Sequence, residues 1–513
     1  MDTNGSLLPP VFISLLEIMA LVFVVVVGTI FLWAVYAYIR DITQTRQAIR
    51  RNYPVIGRFR YLFEHLGEFF RQYFFAMDRE ELPFNRAQRS WVYRAAKDID
   101  NTVAFGSTRD IQRPGSVLFV NCPYPTLGET AALYHPVTIG LGCEHPYIAR
   151  SFYNISGMSY GAISKPAVMA LSKGAKMAGC WMNTGEGGLT TFHLEGGADL
   201  VFQIGTAKYG VRTSTGQLSD DRLRELAAID QVKMFEIKLS QGAKPGKGGI
   251  LPGAKVTEEI ARIRGIPLGI DSISPNRHPD INNNAQLLDM IERIREVTGK
   301  PVGIKTVIGG CGWTDDLCQE ILKRGPESAP DFITIDGADG GTGAAPMPLI
   351  DAMGLPLRES LPLVVDKLHL YDLRKRIKIV ASGKLINSSD VAWALCVGAD
   401  FVTSGRGFMF ALGCIQALQC NKNTCPTGIT THDPKLQRGL NPENKAVRVA
   451  NLVKNMTHEV GIIAHSCGVH SPQELCRSHA RVVQANGLSV QVDQLFPDQY
   501  PDFDLIKRYT RPA

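Results

Sequence analysis

Three cysteines toward the C-terminus have the close spacing of a metal-binding loop. Cys414, Cys420 and Cys425 lie six and five residues apart in GCIQALQCNKNTCP, and a proline follows the last of them. Proline after a ligand cysteine is frequent in bacterial ferredoxin motifs, and three thiolates can hold an iron-sulfur cluster that lacks one iron corner. The alternatives are a zinc site completed by a histidine such as His432, or three buried free thiols. The spacing is uncommon for zinc, and such close grouping is not a random scatter.

Glycine-rich segments recur along the chain in a form typical of loops that hold an anion. ASGKL and TSGRGF bring backbone N–H groups and the charge of Arg406 together, which suits a phosphate. ISGMSYGAIS, NTGEGG and DGADGGTGAAP leave room for backbone to lie against a flat ring, although each segment alone could be an ordinary turn. Together they predict a site for a flat phosphorylated cofactor such as flavin mononucleotide (FMN). The candidate binding residues are Ser156, Met158, Asn183, Lys305, Gly340, Gly341, Gly383, Gly405 and Arg406.

Lys305 is the candidate cation for the ring of such a cofactor. It lies near the end of the apolar run PVGIKTV. A cation at the pyrimidine end of a flavin would stabilise the anionic reduced ring. A lysine at a strand end also often extends to solvent, so position alone leaves both interpretations open.

Short apolar runs alternate with helical stretches from residue 152 onward, and these elements must position the loops. Such alternation predicts parallel strands with crossover helices. Eight units close into a (β/α)8 TIM barrel of the α/β class over residues 150–430, with the chemistry at the C-terminal ends of the strands and a phosphate commonly after strands seven and eight. The predicted strands are FYNIS, CWMNT, KMFEIKL, PLGIDS, PVGIKTV, DFITID, IKIVAS and DFVTS.

An uncharged segment near the N-terminus predicts a transmembrane helix. Residues 18–38 carry no charge and are long enough to cross a bilayer. Arg40, Arg46, Arg50 and Arg51 follow the segment, whereas Lys and Arg are absent before it, which predicts a catalytic domain on the cytoplasmic side. A signal peptide is disfavoured because there is no basic n-region and no small-residue cleavage site, and a buried core helix is disfavoured by length.

The remaining segments are predicted to pack around the barrel. Residues 39–149 form an extension that begins with a helical stretch rich in arginine and aromatic residues, and we favour packing of this stretch on the barrel over contact with the membrane surface. Residues 100–150, rich in Pro and Gly, suggest an irregular lead-in with a few strands. Residues 431–513 are predicted to be a helical extension on the outside of the barrel.

Composition supports a globular enzyme and excludes one class of partner. The 513 residues are 45% hydrophobic and 20% charged, with 49 glycines, which is typical of a folded enzyme with many tight turns. The net charge of +6 is diffuse, so no nucleic-acid partner is expected. Eleven cysteines without a disulfide rhythm favour a reducing compartment.

In their order, these motifs closely resemble the synthase domain of glutamate synthases over about residues 150–485. The matching segments are SGMSYGAIS, NTGEGG, KLSQGAKPGKGG, ISPNRHPDI, DGADGGTGAAP, SGKL and GCIQALQCNKNTCPTGITT. The resemblance implies an FMN-dependent oxidoreductase acting on CH-NH2 groups, and carries Cys414, Cys420 and Cys425 over as ligands of a [3Fe-4S] cluster. The chain looks like a membrane-anchored, stand-alone form of this FMN-binding family.

The same resemblance implies a reaction. Ammonia would condense with 2-oxoglutarate to 2-iminoglutarate, and reduced FMN would convert the imine to L-glutamate with electrons delivered through the cluster from an external reductase or ferredoxin. Lys238, Lys244, Arg277 and Lys305 lie on motif loops that could bind the two substrate carboxylates, and Glu186 is the candidate for handling the amine or its protons. Lys305, Glu186 and Lys238 are therefore the predicted catalytic residues.

The departures from the family pattern concern the nitrogen source and the electron donor. Residue 2 is Asp2, where full-length glutamate synthases have the nucleophilic cysteine of a glutaminase domain. Free ammonia, a separate glutaminase subunit or another small amine would then supply nitrogen. No dinucleotide-binding fingerprint is present, which does not support direct use of NAD(P)H. The alternatives are an N-alkylglutamate synthase that uses a primary amine, and a membrane-tethered flavin and iron-sulfur electron-transfer module.

Overall fold

A computed structural model describes residues 10–44, 47–70, 74–75, 77–132, 134–310 and 312–497. The chain divides into two compact units, Met1–Ala87 and Gln88–Ala513. The helices are α1 (Pro10–Thr43), α2 (Ala48–Asn52), α3 (Ile56–Phe70), α4 (Arg86–Ala96), α5 (Lys165–Ala178), α6 (Thr191–Glu195), α7 (Asp220–Ala227), α8 (Glu258–Arg264), α9 (Asn284–Thr298), α10 (Gly312–Arg324), α11 (Met347–Ala352), α12 (Leu357–Leu370), α13 (Ser388–Val397), α14 (Arg406–Leu412), α15 (Pro434–Gln437), α16 (Pro442–Ser466) and α17 (Val492–Leu495). The strands are β1 (Val117–Phe119), β2 (Val137–Ile139), β3 (Tyr147–Ala149), β4 (Tyr153–Ile155), β5 (Met182–Asn183), β6 (Leu200–Ile204), β7 (Val232–Lys238), β8 (Ile250–Leu251), β9 (Ser272–Ile273), β10 (Val302–Thr306), β11 (Phe332–Asp336), β12 (Lys378–Ser382), β13 (Phe401–Ser404), β14 (Ala480–Val483) and β15 (Ser489–Gln491).

In the first unit, α1 is long and apolar enough to cross a membrane. The segment Phe12–Thr43 has a mean hydropathy of 2.8 and contains the predicted span 18–38, and its apolar window is exposed to solvent. An N-terminal signal sequence can have the same length and apolar composition. At the end of α1, the Arg58 guanidinium donates to both carboxylate oxygens of the buried Asp41 at 2.8 and 2.9 Å. This ion pair fixes the turn from α1 into α3.

The second unit contains a closed barrel of eight parallel strands in the order β4-β5-β6-β7-β10-β11-β12-β13. Every residue of β6, β10 and β11 is buried, as expected for strands covered on both faces. The predicted (β/α)8 TIM barrel is therefore confirmed. Because all eight strands run in one direction, their C-terminal ends meet at one rim.

One of the eight predicted barrel strands is wrong. PLGIDS, at residues 267–272, lies outside the barrel: Leu268 and Ile270 are exposed, and only β9 at its end pairs, antiparallel, with β8. The missing barrel strand is β6, the run LVFQI. It follows β5 after a helix of only five residues, so the alternation of strand and long helix did not reveal it.

The end of the barrel opposite the rim is closed by apolar side chains. The hairpin of β2 and β3 brings Ile139 and Tyr147 against Trp181, Phe332 and Phe401 in one buried cluster. On the outside, α16 packs along α5. A Cβ on Gly174 would lie 2.5 Å from Val449, so this close approach requires glycine.

The C-terminal segment contains strands as well as the predicted helices. β14 and β15 form a three-stranded antiparallel sheet with β1, so this part of the segment 431–513, expected to be helical, consists of strands. The run RVVQANGLSVQ alternates across a turn in the manner of a hairpin, a signal overlooked beside the long helix. Residues 498–513 lie outside the described residues.

Candidate active site

Lys305 and Asp336 form a buried ion pair at the C-terminal rim. Lys305, at the end of β10, is 6% exposed, and its Nζ lies 3.3 Å from Oδ2 of Asp336, the last residue of β11. The Gly242 N–H donates to the same oxygen at 2.9 Å. Burial opposes the charge of Lys305, but Asp336 and Glu236 outweigh it and raise the pKa of the lysine. The side chain is therefore a fixed interior cation, and the interpretation that it extends to solvent is wrong.

Glu236 of β7 is an interior carboxylate that the sequence analysis missed. It is 2% exposed; its Oε1 accepts hydrogen bonds from the amides of Asn183 (2.8 Å) and Gln203 (2.6 Å), and its Oε2 accepts from the Thr334 hydroxyl (2.7 Å). These partners hold Asn183, a predicted cofactor residue, in a fixed orientation. An acid within the apolar strand KMFEIKL was the available signal, because acids are rarely buried without partners.

A second ion pair joins Glu186 and Lys238. Their charged atoms lie 2.9 Å apart, and both residues are largely buried. Burial works to raise the pKa of Glu186, but Lys238 and Lys244 outweigh it and lower the pKa. Glu186 is therefore an anion at neutral pH, suited to accept a hydrogen bond or to pair with an ammonium group.

Lys244 is a further buried cation beside this pair. Its Nζ donates to the Ala344 carbonyl at 3.2 Å, and no described carboxylate forms an ion pair with it. Burial, together with the charge of Lys238, lowers the pKa of Lys244 to about 8. Arg277 is different from the other three predicted cations. It is exposed and donates to the Ile281 carbonyl and to Asn282 within its own loop.

Three glycine loops converge at one corner of the rim, as the phosphate prediction requires. A Cβ on Gly341 would lie 2.8 Å from Nε of Arg406, and the Arg406 guanidinium donates to the Asp339 carbonyl at 2.9 Å. Gly383 has a φ of +131°, which favours glycine. Burial lowers the pKa of Arg406 to about 10, so the surroundings disfavour its charge and an anion would offset the cost.

The remaining predicted cofactor residues border this corner. A Cβ on Gly405 would lie 3.7 Å from the sulfur of Met158, and a Cβ on Gly340 would lie 2.9 Å from the Gly337 carbonyl oxygen. Ser156 donates its N–H to the Ser404 carbonyl, which joins the first and last strands of the barrel. A small cavity extends from Ser156, Asn183 and Lys305 into the barrel. Glycine-lined backbone and buried cations fit a flat phosphorylated group.

The cysteine loop follows α14 directly, and no helical turn lies between Cys414 and Cys420. That segment is irregular, because Gln416 and Leu418 have positive φ values of 59° and 54°. The loop is held by α4, from which the Tyr93 hydroxyl donates to the Cys414 carbonyl at 2.6 Å. The backbone N–H of Gln416 donates to the Cys414 sulfur at 3.4 Å.

The three thiols lie within electrostatic reach of one another. Burial raises the pKa of Cys414 to about 12 and also raises that of Cys420, and the other thiols of the loop add to both shifts. For Cys425, burial is outweighed by hydrogen bonds from Thr427 and Thr430, which lower the pKa. Among the described residues, no three Cys, His, Asp or Glu side chains are close enough to hold a metal ion as they stand. Thiolates with hydrogen bonds to sulfur are the type of ligand that iron-sulfur clusters use.

His432, the candidate fourth ligand of a zinc site, is engaged elsewhere. Its Nε2 lies 2.9 Å from the Gly161 carbonyl oxygen, and burial lowers the pKa of the ring to about 4. The same contact ties the cysteine loop to the 156–164 loop, which carries Ser156 and Met158. A second tie is the Ser164 N–H, which donates to the Ile429 carbonyl at 2.8 Å. The cysteine loop and the rim therefore adjoin.

Comparison with known proteins agrees with the motifs. Residues 139–470 match the family model described as "Conserved region in glutamate synthase". The chain is 41% identical over 499 residues to the glutamate synthase large subunit-like protein YerD of Bacillus subtilis, covering 90% of this chain and 94% of that protein. It is 38% identical over 335 residues to the archaeal-type glutamate synthase [NADPH] of Thermotoga maritima, covering 65% of this chain but only 62% of that enzyme.

Among solved structures, a flavocytochrome b2 variant overlays with a TM-score of 0.45 at 14% identity, covering 82% of this chain and 85% of the other. The family is established by the two sequence comparisons, which extend over the barrel and the cysteine loop. The chain belongs to the glutamate synthase family of oxidoreductases.

Proposed function

We propose that this protein catalyses the reductive amination of 2-oxoglutarate to L-glutamate through 2-iminoglutarate. The observation that carries the proposal is the group of buried cations at the rim, Lys238, Lys244 and Lys305, beside a glycine-lined corner. A substrate with two carboxylates needs at least two cationic partners in a site shielded from water. An electron-transfer module without a substrate would not need them.

Lys244 is the first candidate for a substrate carboxylate. Its protein hydrogen bonds leave donors of the ammonium group available, and an anion would compensate its buried charge. Lys305 is paired with Asp336, which holds its Nζ at the rim, where it would stabilise negative charge on a reduced flavin ring. Lys238, which positions Glu186 through their 2.9 Å ion pair, is the candidate for the second substrate carboxylate.

Glu186 is proposed to hold the nitrogen nucleophile. Its lowered pKa keeps the carboxylate ionised, which suits it to pair with ammonium and to accept hydrogen bonds from the nitrogen as the imine forms. Two glycines leave it space: a Cβ on Gly205 or Gly249 would lie within 2.7 Å of the Glu186 side chain.

FMN is the cofactor that this site would hold. Arg406 and the backbone at Gly340, Gly341, Gly383 and Gly405 would take the phosphate, with Ser156, Met158 and Asn183 along the ring. The bound flavin supplies the hydride for the imine carbon. Cys414, Cys420 and Cys425 are proposed to hold a [3Fe-4S] cluster that relays electrons from an external reductase or ferredoxin.

The test follows flavin oxidation in the purified full-length protein. The protein is reduced artificially without oxygen, and 2-oxoglutarate is added with ammonium, with methylamine or with no amine. We expect ammonium to give flavin reoxidation and L-glutamate by mass spectrometry. Reoxidation with methylamine alone would instead identify an N-alkylglutamate synthase. Reoxidation with neither amine would contradict both enzymatic functions.

We also propose that α1 anchors the protein in a membrane with the barrel on the cytoplasmic side. Arg40, Arg50 and Arg51 follow the apolar segment, in accord with the positive-inside rule; Arg46 lies outside the described residues. Protease added from the cytoplasmic side should remove a C-terminal tag and spare an N-terminal tag. The reverse pattern would contradict the orientation, and a mature protein without α1 would identify a cleaved signal sequence.

A further inference from the structure

Lys255 lies buried between the cysteine loop and the barrel rim. The residue ends the 3-10 turn Gly253–Lys255 and is 2% exposed. Its Nζ donates to the Ala162 carbonyl at 2.6 Å and to the Cys420 carbonyl at 3.3 Å. Ala162 belongs to the 156–164 loop, which borders the corner of the rim proposed to hold FMN. Cys420 is a proposed cluster ligand. The ammonium group therefore lies where the two proposed redox groups adjoin.

Within the described part of the chain, no carboxylate forms an ion pair with Lys255. The ion pairs formed by the described residues do not involve Lys255, and its two carbonyl acceptors leave one of three ammonium donors without a protein partner. A buried cation without a counter-ion is costly, so such groups are normally paired or bind an anionic group. Burial lowers the pKa of Lys255, whereas the nearby thiols of Cys420 and Cys425 favour its charged form. An iron-sulfur cluster held by three thiolates is negatively charged and would supply the counter-ion that Lys255 lacks.

We propose that Lys255 is the counter-ion of the cluster and raises its reduction potential. The inference rests on the cluster assignment proposed above. When one electron enters from the external donor, no bond is made or broken and the cluster becomes more negative by one unit. A fixed positive charge nearby stabilises the reduced form more than the oxidised form. Lys255 would thus act on the reaction through the cluster.

A purely structural role makes a different prediction. Lys255 could serve only to clamp Ala162 to Cys420 through hydrogen bonds. Glutamine at this position retains N–H donors without the charge, whereas arginine retains the charge with a different shape. If only the hydrogen bonds matter, the glutamine variant should behave like the natural protein. If the charge matters, the arginine variant should do so.

The experiment is a reductive titration of the full-length protein with dithionite, in which the electron paramagnetic resonance of the oxidised cluster is followed. Lys255→Gln and Lys255→Met should each shift the one-electron equilibrium at least tenfold toward the oxidised form, a fall of about 59 mV in midpoint potential. Lys255→Arg should stay close to the natural value. Lys300→Met is the matched control: Lys300 is also buried and also donates to main-chain carbonyls, but at the opposite end of the barrel.

The outcomes are distinguishable. A fall in potential, or a loss of iron, in the Gln and Met variants but not in the Arg and Lys300→Met variants supports the proposal. An unchanged potential in Lys255→Gln, or an equal fall in Lys255→Arg, overturns the counter-ion role. Lys255 would then serve only to hold Ala162 and Cys420 together. Absence of any iron-sulfur signal in the natural protein contradicts the cluster assignment itself, and the counter-ion role with it.

Discussion

The two ends of the barrel treat buried charge in different ways. At the N-terminal end, Asp331 is fully buried and forms ion pairs with Arg295 at 3.2 Å and Arg376 at 2.9 Å, and it also accepts the Val302 N–H at 2.8 Å. Its charge is neutralised by neighbours from the surrounding chain. The apolar cluster around Trp181 closes this end to ligands.

Buried lysines show the same contrast. At the N-terminal end, the Lys300 ammonium donates to three carbonyl groups, those of Ala227, Ile229 and Val232, one for each of its donors. At the rim, the described residues give Lys255 two acceptors and Lys244 one. Complete pairing stabilises the fold, whereas incomplete pairing leaves charge and donors for anionic groups. This division agrees with TIM barrels in general, which place their chemistry at the C-terminal ends of the strands.

The largest expected effect is that of Lys305→Met at the rim. Removal of the cation that would face the reduced flavin should lower the rate of imine reduction about 10²- to 10³-fold, the range for one electrostatic stabiliser in a shielded site. The measurement is single-turnover flavin oxidation by 2-oxoglutarate and ammonium. A rate within threefold (roughly 0.65 kcal/mol) of the natural protein, with flavin content unchanged, would contradict the proposed role.

The corresponding change at the opposite end is Asp331→Asn. It leaves Arg295 and Arg376 without their carboxylate, and loss of one partner from a buried ion pair costs about 3 kcal/mol in the free energy of unfolding. Denaturant unfolding should show this loss, while the rate per folded molecule stays unchanged. A large fall in the rate of imine reduction without a loss of stability would contradict a purely structural role for the N-terminal end of the barrel.

A smaller effect is expected for Lys244→Met. Loss of a charge-assisted hydrogen bond to a substrate carboxylate costs about 1.5–3 kcal/mol, so KM for 2-oxoglutarate should rise about 10- to 100-fold. Lys300→Met, the matched change at the N-terminal end, should lower stability and leave KM unchanged. Steady-state kinetics and denaturant unfolding of both variants test the pair.

The pH dependence of KM sharpens the same prediction. Lys244 has a pKa of about 8 and is charged below this value, so its attraction for a carboxylate is lost as the pH rises through 8. KM of the natural protein should therefore increase above pH 8 toward that of Lys244→Met, whose own KM should lack this rise. Parallel profiles for the two proteins would exclude Lys244 as the group responsible.

The smallest effect is expected within one glycine loop. A Cβ at Gly341 would meet the Arg406 guanidinium at 2.8 Å, whereas a Cβ at Gly343, two residues later, would meet no atom within 4 Å. Gly341→Ala should displace Arg406 and weaken FMN binding by about tenfold, or roughly 1.4 kcal/mol. Gly343→Ala should bind FMN normally. Equal affinities, measured by fluorescence titration of the flavin-free proteins, would remove Arg406 from the phosphate corner.

The parts of the site that the sequence predicted are those encoded in contiguous residues. Glycines after an apolar run and cysteines within one loop are visible in the local sequence, and Gly341, Gly383 and Arg406 lie near one another at the rim. Lys255 gave no such signal, because it approaches Cys420 only through the tertiary fold, 165 residues along the chain. Glu236 was hidden in an apolar strand for the same reason, since its partners come from three other strands.

The fold followed a similar rule. Strands bounded by long amphipathic helices were predicted correctly, whereas β6 lies behind a very short helix and was missed. The apolar run PLGIDS imitated a strand, but Gly269 has a φ of +70°, which interrupts an extended conformation. Local hydrophobicity therefore decides whether a strand is possible, and packing decides whether it enters the barrel.

Metal and flavin content of the purified protein, determined together, provides the most direct test of a flavin seated beside a three-thiolate cluster. We expect about one FMN and about three iron atoms per chain, with Cys420→Ala losing the iron and retaining the flavin. Cys396→Ala, which changes a buried cysteine of α13, should keep both. Zinc or no metal in the natural protein, or full iron in Cys420→Ala, would contradict the account.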